Sequence, residues 1–148
     1  MNSSNELSTV TVRGTGVRIE AIASGTISPG HLLKRTSAAA DTVAVHGVAG
    51  GKAQRMFAVE NDLLGKGMST DYTDGQRVQA NIFQAGDVVN ALVKSSVTKG
   101  DFLESAGDGA LQTYGSDSVI GDDAVIVGVA LESVTVSSAA KRCKVEIQ

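Results

Sequence analysis

Phe83-Gln84-Ala85-Gly86-Asp87-Val88-Val89-Asn90-Ala91-Leu92-Val93-Lys94-Ser95-Ser96-Val97-Thr98-Lys99-Gly100-Asp101-Phe102-Leu103 is the stretch that decides the fold. Two copies of one pattern bracket a strand-like run. Each copy is an apolar residue, two spacers, Gly, a polar residue and two apolar residues: Phe83–Val89 and Val97–Leu103. A third copy lies upstream at Ile27-Ser28-Pro29-Gly30-His31-Leu32-Leu33. Its Pro-Gly pair fits the centre of a type II turn, where Pro presets φ and Gly accepts the positive φ that follows. Gly86 and Gly100 hold the equivalent slot. The chain repeatedly ends a strand, turns on Gly and starts another. This pattern specifies scaffold and carries no chemistry.

The chain has 148 residues, enough for one domain that buries about 70% of its unfolded surface. Apolar residues make up 42%, with no Trp and only Phe57, Phe83, Phe102, Tyr72 and Tyr114 as aromatics, so Val, Ile, Leu and Ala must fill the core. β-branched side chains suit pleated surfaces. The formal charge of −3 argues against a general nucleic-acid binder, which carries a basic face. Cys143 stands alone, so no internal disulfide forms, as suits a reducing compartment. Met1–Glu6 lacks the basic-then-apolar order of a signal peptide, and no apolar run reaches membrane-span length. The expectation is a soluble protein made in the cytoplasm, without nucleic-acid or membrane partners.

Working outward, Met1–Val12 reads as an N-terminal arm and first strand, and 13–148 as one β-rich domain. The arm has little to bury at its start and is expected to be flexible when alone. Val10 and Val12 share a face. Val17, Ile19 and Ala21 alternate inward against Arg18 and Glu20. Thr42–His46, Arg55–Val59 and Gln76–Ile82 follow as strands, and Glu60–Gly67 holds at most one helical turn. Glu104–Asp123 reads as a surface loop around a strand-like Ala110–Tyr114. Ala124–Leu131 is continuously apolar and predicts a strand buried on both sides. Ser133–Ala140 is small and β-compatible. Arg142–Ile147 alternates, with Cys143, Val145 and Ile147 inward. About ten short strands predict an all-β fold, a compact barrel or sandwich. Its many edges must be covered or used for pairing.

Motifs for chemistry fail one by one. A phosphate loop requires Gly, four spacers, Gly-Lys and Ser or Thr. Around Gly51-Lys52 the first position is His46 and the residue after Lys is Ala53; around Gly65-Lys66 they are Glu60 and Gly67. Lys66 between glycines suits a lysine displayed for biotin or lipoate, but the flanking residues of such carriers are absent. His31 and His46 lack partners at metal-ligand spacing and read as surface or strand-edge residues. Asp117, Asp122 and Asp123 lack the spacing of a Ca²⁺ loop. No Gly-x-Ser-x-Gly elbow occurs, and Cys143 faces the core, where a thiol is inert packing. These absences predict a non-enzymatic protein without cofactor, catalytic residues or metal.

From Arg55 to Ile147 the order of segments resembles the decoration, or cement, proteins of tailed-bacteriophage heads. The segments are Phe57-Ala58-Val59-Glu60 with Gly65-Lys66-Gly67, then Tyr72-Thr73-Asp74-Gly75-Gln76-Arg77-Val78. After them come the Gly86-Asp87 and Gly100-Asp101-Phe102-Leu103 turns, Gly107-Asp108-Gly109-Ala110-Leu111, and Val127-Gly128-Val129-Ala130-Leu131-Glu132. The resemblance implies a β-barrel-like domain, a homotrimer at local three-fold positions of the outer capsid surface, and the major capsid protein as partner. It implies binding to the expanded head and stabilisation against the pressure of packaged DNA. N-terminal arms in this group reach the shell or a neighbouring trimer. Asn2, Ser3, Ser4, Asn5, Glu6, Leu7, Pro29 and Gly30 are the expected contact residues. Another structural virion part, a tail or fibre β domain, is the alternative; a carrier or small β-domain enzyme is a more distant one.

Overall fold

A computed structural model of the chain describes residues 9–38, 40–115 and 125–148. Among them are eleven strands: β1 (Thr11–Arg13), β2 (Val17–Ala23), β3 (Leu33–Arg35), β4 (Thr42–Val45), β5 (Met56–Ala58), β6 (Arg77–Ile82), β7 (Val88–Val93), β8 (Phe102–Ser105), β9 (Leu111–Thr113), β10 (Gly128–Ala130) and β11 (Lys141–Ile147). The single helical element described is a short 3-10 turn, Asp62–Leu64, inside the segment where one turn was expected. The fold is all-β, as the sequence pattern predicts.

The strands form two sheets that follow one path twice. The first runs β3-β4-β2-β6-β5, and the second β1-β7-β11-β10-β8-β9 with a further β7–β9 pairing. That pairing closes β7 to β11 into a small barrel. The first sheet is drawn together by a single bridge between Leu32, beside β3, and Phe57 of β5. With β1 set aside, β2 to β6 correspond in order to β7 to β11, and each strand keeps its neighbours. In both units the first and third strands pair in parallel, Ala23 with Val43 and Val93 with Leu111. The first and last pair antiparallel, Ala21 with Val78 and Ala91 with Cys143.

The Gly turns are the joints of this path. At Ser28–His31 the amide of His31 donates to Ser28 O (3.0 Å), and Gly30 has φ +98°, as a type II turn requires. Thr98–Asp101 repeats it, with Asp101 N donating to Thr98 O at 2.9 Å and Gly100 at φ +96°. Gln84–Asp87 is the third, and Thr73–Gln76 a fourth. In all four the side chain after Gly turns back to accept the amide of the first residue. His31 Nδ1 takes Ser28 N (3.0 Å), Gln76 Oε1 takes Thr73 N (2.7 Å), Asp87 Oδ2 takes Gln84 N (3.0 Å) and Asp101 Oδ2 takes Thr98 N (2.8 Å). The polar residue of the pattern is therefore a cap that satisfies an otherwise orphaned donor.

Each unit has its own interior. Ala21, Ala23, Leu33, Val43, Met56, Ala58, Tyr72 and Val78 fill the first. The second is lined by Ala91, Val93, Leu103, Leu111, Ala130, Cys143, Val145 and Ile147, and this cluster extends to Leu32, Phe57 and Phe83 across the seam. Phe57 and Phe83 meet edge-on there, with centroids 6.0 Å apart.

Several expectations need adjusting. Gly128–Ala130 is the strand within Ala124–Leu131, and Val127 is buried beside it. Phe102–Ser105 is a strand, so ordered structure enters the expected loop at its start. Its Asp117, Asp122 and Asp123 lie outside the described residues. Val17 is exposed because it sits at the open end of β2, and Val12 is exposed while Val10 is buried, the register slipping between Thr11 and Arg13.

Candidate functional site

The seam between the units is joined by backbone and side-chain hydrogen bonds, and it takes in two of the expected contact residues. Pro29 and Gly30 are both buried. The turn that carries them presses on β7 and β11. Arg142 donates from Nη1 to Pro29 O (2.9 Å) and from Nη2 to Met68 O (2.7 Å). Burial lowers its pKa, with Asp71 and Glu60 acting in the opposite sense. Leu92 N donates to Gly30 O (3.2 Å), and Leu32 N to Gly109 O (2.7 Å). The first unit's turn is thus held in the second unit by paired backbone groups and one guanidinium. Asn2, Ser3, Ser4, Asn5, Glu6 and Leu7 lie outside the described residues.

His46 is buried, contrary to the surface or strand-edge placement its sequence context suggested. The reason is long-range: its ring reaches two segments far from it in sequence or on another strand. Nε2 lies 2.7 Å from Lys52 O, which can only accept, so Nε2 carries the proton. Nδ1 then accepts from Ser105 Oγ at 2.7 Å. A Ser–His pair of this kind invites a catalytic reading. Here Ser105 is fully buried, and a backbone carbonyl stands where a triad has a carboxylate. The pair ties the Gly47–Lys52 loop to β8. His31 is half-buried, and burial lowers its pKa, with Asp108 and Asp71 opposing; the neutral ring is the form that accepts Ser28 N.

The other reactive groups are placed as follows. Cys143 is buried, and its pKa is pushed up to about 11 by burial and by Glu132, which leaves the thiol protonated at neutral pH. Glu104 is buried on β8; its Oε1 accepts from Gln112 Nε2 (3.0 Å), its Oε2 has no partner among the described residues, and no second carboxylate among them is bonded to it. A cleft of about 250 Å³ runs between the Asn61–Thr70 loop and the Tyr72–Arg77 turn, with Lys66, Asp71 and Arg77 in its wall. Tyr72 Oη, the one hydroxyl with an aromatic ring there, is taken up by Val59 O at 2.6 Å. Lys66 follows the 3-10 turn and is not at the tip of a strand hairpin, as a carrier lysine would be. Among the described residues no group of three or more His, Cys, Asp or Glu is placed to hold a metal ion, and no helix is long and apolar enough to cross a membrane.

The structure is a double-unit β scaffold in which several polar side chains bond its own turns and seam. The fold is one already known among solved structures. The crystal structure of the head fiber gp8.5 N base in bacteriophage phi29 matches 90% of this chain and 95% of its own, with TM-score 0.61 and 15% identity. The likeness therefore extends over both units. No family model matches the chain, and no curated protein does.

Proposed function

We propose that this protein is a non-enzymatic structural part of a phage particle, a β module seated on the head. The observation that carries the reading is the sharing of fold, over 90% of the chain, with a head fiber base. The side-chain geometry supports it, since His46, Ser105, Tyr72 and Cys143 are bonded into the scaffold. Of the two structural roles, a base for a head-mounted appendage is the better supported, because the related fold is itself a base. A decoration role is the second reading, favoured by the ordered segments from Phe57 to Glu132. In that role the protein would be a trimer on the outer surface of the expanded head, bound to the major capsid protein and stabilising the head against internal DNA pressure.

Either role needs contact without reaction. Several linked copies gain firm attachment from weak single contacts through high effective concentration. Selective binding to the expanded shell requires a site of different affinity in the two shell states. Residues 2–7 are the proposed contact with the shell or a neighbour. Gly30 and Pro29 act from inside, holding the first unit on the second, whose β7 pairs with β1 of the arm.

Co-sedimentation with heads stripped of accessory proteins, expanded and unexpanded, tests the reading. Saturable binding to the expanded heads alone supports decoration. Equal binding to both, at few sites per head, supports an appendage base. No binding to either overturns the head assignment. Deleting residues 2–9 is expected to weaken attachment and leave the fold; unchanged attachment removes the arm from the contact.

A further inference from the structure

The outward stripe of the second unit is open where its counterpart in the first is closed. In the first unit Leu32 bridges Phe57, and His46 N donates to Leu32 O at 2.8 Å, so the three lie in one row across β5, β3 and β4. All three point away from their own interior and are buried against the second unit, Leu32 and Phe57 at 0% exposure and His46 at 4%. In the second unit Phe102 pairs with Val129, and Tyr114 N donates to Phe102 O at 2.7 Å. This is the same row across β10, β8 and β9. Here Phe102 is 49% exposed, Tyr114 43%, and Val129 half-buried. Two of the chain's five aromatics thus stand side by side in solvent. Adjacent exposed aromatics are a feature of contact surfaces, where they supply large area at low entropic cost.

The receiving side shows the same asymmetry. The stripe of the first unit docks beside Arg142, which pairs across the sheet with Leu92 and donates to two carbonyls of the first unit. The matching residue in the first unit is Arg77, which pairs across the sheet with Ile22. Its side chain is 66% exposed, and among the described residues its one ion pair is a 3.5 Å contact with Glu20. So each unit carries a stripe and a receiving face. Among the described residues, the seam uses one of each and leaves the other stripe and the other face free.

We propose that the free stripe, Phe102, Val129 and Tyr114, docks on the Ile22–Arg77 face of a second copy of this chain. The occupant is a copy of the same chain because the surface that already covers an equivalent stripe is a unit of this same fold. The contact is head-to-tail, and a ring of copies closes it. The next copy's Arg77 then plays the part of Arg142 and reaches carbonyls of the turn at Lys99-Gly100. The contact is not a replica of the seam. Leu92 N is free to bond Gly30 O, whereas Ile22 N is already taken by Asp41 O at 2.9 Å. Side chains must therefore carry more of it, which makes a reversible association between copies where the seam is permanent. This inference rests on the internal repeat and stands apart from the virion reading, since shells can fail to bind a protein that still self-associates.

Sedimentation equilibrium of the full-length protein across a wide concentration range tests it. The expected result is reversible self-association that Phe102→Ser with Tyr114→Ser weakens at least about tenfold, as for loss of central aromatic anchors. Circular dichroism melts of the double variant should match the parent. Direction is read by mixing Phe102→Cys protein with Ile22→Cys protein under oxidant, where cross-linking between the two variants should exceed cross-linking within either alone. A monomer at every concentration, association untouched by the double variant, or no preferential cross-link between the mixed variants overturns the proposal.

Discussion

Leu32 and Phe102 hold the same place on the same path, yet one is sealed and the other faces solvent. The same holds for Phe57 against Val129 and for Arg142 against Arg77. Local structure is nearly identical in each pair: same turn, same register, same neighbours in the sheet. What differs is whether a second unit lies on top. The comparison teaches that energetic weight here is set by position relative to the seam, while strand propensity and turn chemistry are held constant.

The sharpest way to break the comparison is to truncate both members of the central pair. Phe57→Ala should cost about 3–5 kcal/mol in urea unfolding, a buried aromatic lost with its cavity. Val129→Ala should cost under about 1 kcal/mol. Equal losses would mean the seam is no core. Next come the turn glycines. A Cβ at Gly30 would stand 3.0 Å from Asn90 O, whereas at Gly100 nothing lies within 4 Å. Both alanines meet the positive-φ penalty of about 1–2 kcal/mol, and Gly30→Ala should add steric strain to reach about 2–4 kcal/mol. Matching melting temperatures for the two variants would contradict a tight seam.

A smaller effect is expected from the arginines. Arg142→Met strips Pro29 O and Met68 O of their donors and should cost about 1–3 kcal/mol. Arg77→Met should stay within about 0.5 kcal/mol in the monomer. The subtlest test is of acidity at the capping histidine. Its folded pKa is lowered by burial, so below about 6.5 the unfolded chain binds more protons at this residue than the folded one. The stability it confers is complete above 6.5 and is lost as pH falls through the folded value. His31→Gln keeps an acceptor, as Gln76 does in its own turn, and should flatten that dependence in urea midpoints taken from pH 7.5 to 5. An unchanged slope would assign it to other groups.

The sequence made the joints visible because Gly and its capping residue are local features. The type II turn at Pro29-Gly30 and the inward set Cys143, Val145 and Ile147 stand as read. The fourth turn was equally readable, since Tyr72, Gly75 and Gln76 keep the spacing of the other three. The repeat beyond the turns was not, because corresponding interior residues differ in size: Met56 stands where Gly128 does, and Tyr72 where Val134 does. Interiors conserve total volume rather than each residue. The burial of His46 was hidden too, since Ser105 Oγ and Lys52 O reach it only after folding. Among the proposed contact residues, Pro29 and Gly30 were visible as a turn, while their burial depends on the distant Arg142.

The buried row of the first unit has a consequence for synthesis. Strands β2 to β6 are all present once Ile82 has emerged, so the first unit has every strand it needs before the second exists. Until β7 to β11 follow, Leu32 and Phe57 have nothing to cover them. At about 5–20 residues per second, the nascent chain shows a greasy face for several seconds. During that interval the face is open to other chains, and the arrival of Lys141–Ile147 sets how long it stays so.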